Sequence, residues 1–173
     1  RRFRPLAAAA AFVAVGSALG FGAARLGSPP AGGLDFAQAA LLAHRTFAPE
    51  VTHPVEMSAA DPERLAAWLG RRVGRPLTLP DFSPEGFRLV GGRILPDPDG
   101  PAAALMYEDS QGRRVTLYLA PEPGVRETAL RLVEGGGTQG WWWVEDGFGC
   151  AVVGDAPRDV LKVMAARAYE ALG

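Results

Sequence analysis

The chain has 173 residues, 48% of them hydrophobic, with 18 basic and 19 acidic side chains and a formal net charge of −1. Four arginines fall among the first 25 residues, where there is no acid, so the remainder holds 14 basic against 19 acidic residues, a net of −5. A nucleic-acid binder needs a basic face, for which this balance is a poor footprint, and a mildly acidic exported domain is the simpler reading.

Pro5 to Ala24 is twenty residues without a charge, with Arg1, Arg2 and Arg4 ahead of it and Arg25 behind. A helix of that length rises roughly 30 Å, the thickness of a bilayer's hydrocarbon core. Gly16, Gly20 and Ala24 share one face at four-residue spacing, which lets two helices approach closely in lipid. The leading expectation is a single membrane span. The arginine bias keeps the N-terminus in the cytoplasm and exports the C-terminal part of the chain. Two other readings stand beside it: a cleaved secretory signal ending near Phe21-Gly22-Ala23-Ala24, and an alanine-rich helix buried in a soluble protein. Because the chain begins with Arg1, it reads as a fragment or processed product whose cytoplasmic part is missing.

Gly27 to Gly33 (GSPPAGG) is too rich in glycine and proline to sustain a helix or strand and reads as a linker. From Leu34 to Ala48, Phe36, Ala40, Ala43 and Phe47 fall on one helical face, with Asp35 suited to the positive end of the helix dipole. Pro49 ends that helix, and Pro54 holds His53 and its neighbours extended. Asp61-Pro62-Glu63 is a helix start: an N-capping carboxylate followed by proline at the first helical position. The helix runs to about Val73, buries Leu65, Trp68, Leu69 and Val73, and is capped by Gly74.

The hydrophobic period then changes to two. Phe87–Leu95, Ala102–Glu108, Arg114–Leu119, Thr128–Val133, Gly140–Glu145 and Phe148–Val153 are candidate strands, the fourth also tolerating a helical turn. Val115, Leu117 and Leu119 alternate with Arg114, Thr116 and Tyr118, the pattern of a half-buried strand. Asp146-Gly147 marks a tight hairpin, and such short connections imply antiparallel pairing. A last helix starts near Asp155 or Pro157 and presents Val160, Leu161, Met164, Ala168 and Leu172 inward. The expected fold class is α+β: a transmembrane helix, then an antiparallel meander of five or six strands with two helices before it and one after.

Residues that carry chemistry are sparse, and no enzyme activity or cofactor is expected. Cys150 is the only cysteine, so an intramolecular disulfide, a CxxC centre and a multi-thiolate zinc site are ruled out within the chain. In FGCAVV it reads as a small buried hydrophobe, with a redox role as the alternative. His44 and His53 are the only histidines; with Glu50, Glu56 or Met57 they make a weak metal candidate. No serine carries a nucleophile-elbow pattern, and neither Gly91-Gly92 nor Gly135-Gly136-Gly137 has the lysine of a phosphate loop. Trp141, Trp142 and Trp143 form the most conspicuous run. In a strand, Trp141 and Trp143 share one face and Trp142 takes the other, so the run packs a covered sheet or offers a partner surface.

An arginine-flanked span followed by HRTFAPEVTHPVEM, PERLAAWLGRRVGRPLTLPDFSPEGFRLVGGRILP and AALMYEDSQGRRVTLYLAP resembles the exported part of transmembrane anti-sigma factors of Gram-negative bacteria. The ending WWWVEDGFGCAVVGDAPRDVLKVMAARAYEAL is similar to the C-terminal hairpin and helix of that family. The resemblance covers Leu34 to Leu172. It implies residues 1–26 as an inner-membrane anchor, 27–33 as a linker and 34–173 as a periplasmic α+β domain. It further implies a sigma factor held by a cytoplasmic part outside this sequence, and an envelope protease or periplasmic regulator acting on the exported domain. The competing expectation is an N-terminally anchored periplasmic module that binds a protein or small ligand and has no transcriptional role.

Overall fold

The computed structural model describes residues 32–173, which form one compact unit. The expected membrane span at Pro5–Ala24 and linker residues 27–31 lie outside the described residues. Among the described residues no helix is long and apolar enough to cross a membrane.

Among the described residues two α-helices precede the main strands. Helix α1 (Gly32–Phe47) starts two residues earlier than its apolar pattern predicts and carries Asp35 in its first turn. Helix α2 (Pro62–Val73) has the expected ends: Asp61 accepts a hydrogen bond from the Arg64 amide at 3.0 Å, and Gly74 closes the helix at φ 83°. A cap of that kind contributes about 1 kcal/mol. The strands are β1 (Met57–Ser58), β2 (Arg88–Asp97), β3 (Gly100–Glu108), β4 (Arg114–Pro121), β5 (Arg131–Gly135), β6 (Thr138–Glu145) and β7 (Phe148–Gly154). Helix α3 (Arg158–Leu172) follows, with Leu161, Met164, Ala165 and Ala168 buried. The α+β class, the antiparallel pairing and the placing of two helices before and one after are all present.

The expected meander needs correction. The sheet has seven strands in the order β1-β2-β3-β4-β7-β6-β5. It is two meanders, β2-β3-β4 and β5-β6-β7, joined where β4 pairs antiparallel with β7, from Val115↔Gly154 to Pro121↔Phe148. Burial explains the order. Strand β7 is buried from Gly149 to Gly154 and takes a central place, whereas β5 exposes Arg131, Leu132 and Glu134 and suits an edge. The β6–β7 turn is the tight hairpin read from Asp146-Gly147, both residues having positive φ, 49° and 72°.

Strand β4 is not half-buried, as its alternation predicts, because both faces of the sheet are covered. Helices α2 and α3 cover one face, enclosing Leu105, Val115, Leu117, Leu119, Trp143 and Val152. Helix α1 covers the other with Phe36, Ala37, Ala40 and Leu41, over Ala104, Tyr118, Trp142 and Val153. Thr116 and Tyr118, polar by type, lie beneath α1 at 3% and 2% exposure.

Candidate functional site

A buried polar junction forms where α1 crosses β4 and meets the end of β7. His44, in the last turn of α1, is 2% exposed. Its Nδ1 lies 2.9 Å from Thr116 Oγ1, the hydroxyl that β4 turns toward α1. On the far side of the ring, Nε2 is buried without a hydrogen bond and stands 3.7 Å from the Asp155 carboxylate, beyond bonding distance. Burial holds the imidazole below its ordinary pKa, Asp155 pulls it back up, and Arg45 adds a small opposing effect. The neutral ring is therefore favoured, and its free nitrogen faces a mostly exposed carboxylate.

Two arginines fix α1 over this junction. Arg114 donates from Nη1 to the carbonyls of Ala48 and Glu50, at 2.7 and 2.6 Å, and from Nε to Glu108 at 2.9 Å. A cation there satisfies carbonyls at and beyond the helix end and complements the negative end of its dipole. Arg45 Nη1 donates to the Gly135 carbonyl at 2.7 Å, tying α1 to the β5–β6 hairpin. His44, Arg45, Arg114, Thr138 and Asp155 line a cleft of about 320 Å³ beside the helix end. Thr116, His44 and Asp155 have the residue types of a nucleophile, base and orienting acid. The Thr116 hydroxyl, however, is enclosed under α1, so the arrangement bears a proton and a helix contact rather than a nucleophile.

The other residues singled out by sequence are not gathered here. His53 is exposed in the α1–β1 connection and is held through its backbone, its carbonyl accepting from Arg93 Nη2 at 2.8 Å. The Arg93 guanidinium in turn lies 3.6 Å from the centroid of the Phe47 ring, a cation–π contact that fastens the connection to the end of α1. Cys150 is buried on the α2/α3 face of the sheet, opposite the face that carries His44. Burial pushes its thiol up to about 12, leaving it in the unreactive protonated form. His44, His53 and Cys150 therefore do not form one ligand set.

The tryptophan run divides as its parity requires. Trp143 is fully enclosed against α3, and Trp142 is 3% exposed under α1. Trp141 alone is half-buried. Its Nε1 donates to the Arg158 carbonyl at 3.2 Å, and Lys162 Nζ lies 5.0 Å from its ring centroid. The run thus packs the two faces of the sheet and presents no continuous aromatic surface. The open surface beside it is a groove of about 510 Å³ between α3 and the β4–β5 connection. Leu130, Ala166 and Tyr169 line it, with Glu127, Glu145 and Glu170 among its walls. Sequence reasoning missed Thr116 and Asp155 as partners of His44. They lie 72 and 111 positions away, and only the β4–β7 pairing brings them together.

No protein-family model matches the chain, and no curated protein matches it.

Proposed function

We propose that the chain is the membrane anchor and periplasmic regulatory domain of a transmembrane anti-sigma factor, single-pass with its N-terminus in the cytoplasm. The observation that carries this reading is the arginine-flanked, charge-free run at Pro5–Ala24, placed directly ahead of the α+β domain. The segments that resemble the family span the end of α1 and β1, α2 and β2, β3 and β4, and the β6–β7 hairpin with α3. In this reading the domain works by linkage. A signal that binds or loosens it changes access to the linker and span, and cleavage there frees a sigma factor held on the cytoplasmic side.

Deleting Leu34–Gly173 from the full gene product tests this in a reporter strain. The reading predicts sigma-dependent output that no longer responds to envelope stress. Output that responds as in the wild type would overturn it. The groove beside Tyr169, a side chain 42% exposed, favours a second reading in which the domain is an anchored binding module for a protein or small ligand. Under that reading the deletion leaves transcription unchanged.

A further inference from the structure

At the far end of α1 from His44, three separate pieces of chain bring carboxylates together. Asp97 ends β2, Asp99 stands in the β2–β3 turn, Glu122 follows β4, and Asp35 lies in the first turn of α1. With Phe36 they line a hollow of about 190 Å³. One oxygen from each of Asp97, Asp99 and Glu122 lies within 4.8 Å of the other two. A cation with bonds to oxygen of about 2.4 Å places ligands on its opposite sides about 4.8 Å apart, so the spacing fits one ion.

A second observation, separate from the clustering, concerns Glu122. The residue as a whole is 5% exposed, and its side chain lines the hollow. The ionisable side chains that line the hollow with it, Asp35, Asp97 and Asp99, are all acidic. A carboxylate crowded by three others in one hollow is unfavourable unless a positive charge joins them. Asp97 is also held in place, accepting from the Tyr118 hydroxyl at 3.0 Å, as an oriented ligand is held by its outer hydrogen bonds.

We propose that Asp97, Asp99 and Glu122 form a calcium site, with Asp35 as an outer carboxylate. All-oxygen ligands select a hard cation. Side chains from the end of one strand, a turn and the residue after another strand suit the irregular, water-completed shell of calcium better than the strict octahedron of magnesium. The bound ion ties the first turn of α1 to the β2–β3 turn and the end of β4. The proposal is independent of the anti-sigma reading.

Isothermal titration of the full 173-residue chain with calcium chloride at pH 7.5, in detergent, is the test. The expected result is one saturable site with a Kd on the order of 10⁻⁵ to 10⁻³ M and a thermal midpoint that rises with calcium. Asp99→Asn, at an exposed position, should weaken binding at least tenfold with folding intact, and Glu122→Gln should abolish it. Three results would overturn the proposal: no saturation by about 10 mM calcium, equal affinity in Asp99→Asn, or magnesium binding as tightly as calcium. A wild-type midpoint indifferent to calcium but raised by Glu122→Gln would show that a proton neutralises the site instead.

Discussion

Replacing Trp143 tests whether the tryptophan run is internal. The side chain is fully enclosed, makes an edge contact with Tyr169 at 6.0 Å between ring centroids, and buries its Nε1 without a partner. A buried tryptophan removes roughly 150–250 Å² from water. At about 25 cal/mol per Å² that is about 4–6 kcal/mol, of which the alanine methyl retains a part. Trp143→Ala is therefore expected to cost about 3–5 kcal/mol, a large fraction of a domain's total stability. Trp143→Phe keeps most of the ring and removes a buried, unpaired N–H whose burial costs about 1–3 kcal/mol. The two changes offset, so this variant should fall within about 1 kcal/mol of wild type by the same reasoning. Trp141→Ala, at a half-buried position, should lose about 1–2 kcal/mol. Urea unfolding followed by far-ultraviolet circular dichroism, with the slope checked for constancy, measures all three. If Trp143→Ala costs no more than Trp141→Ala, the packing argument is wrong.

His44 should make stability depend on pH. Its folded pKa is lowered by burial, so its contribution is complete above the ordinary value of 6.5 and is lost as pH falls below it. The slope is up to about 1.4 kcal/mol per pH unit. His44→Gln should flatten that part of a stability–pH curve, and an unchanged curve would contradict the assignment. Arg114→Ala should leave the Ala48 and Glu50 carbonyls without their donor, and faster amide exchange in the last turn of α1 would report it. Cys150 should react with a thiol reagent only as fast as the domain unfolds; rapid labelling under native conditions would place the thiol elsewhere. Gly149→Ala would set a methyl 3.0 Å from the Phe36 ring and 2.9 Å from Glu122 Cγ. The expected overpacking cost of about 1–3 kcal/mol is readable as a lowered urea midpoint.

What the sequence made legible was local. The Asp61-Pro62 start and Gly74 end of α2, the Asp146-Gly147 hairpin, and the opposite facing of Trp142 and its neighbours each rest on a few adjacent residues. The sheet order is not local. Nothing in the connection from Glu122 to Leu130 says that it passes to the far edge and leaves β4 to pair with β7. Hydrophobic alternation also misjudged β4. Thr116 and Tyr118 are polar by type, yet the first supplies a hydroxyl beside His44 and the second donates to Asp97, so both are satisfied under α1. The carboxylates at 97, 99 and 122 were hidden for a similar reason. Asp-Pro-Asp-Gly is ordinary turn chemistry, and only the fold sets a buried glutamate against it.

The proposed role is tested most directly by purifying the full gene product from its native membrane and identifying what accompanies it. The anti-sigma reading predicts a stoichiometric sigma factor that is lost when the portion on the cytoplasmic side of Pro5–Ala24 is removed and retained when residues 34–173 are removed. Recovery of envelope proteins alone, with no sigma factor in either preparation, would contradict it.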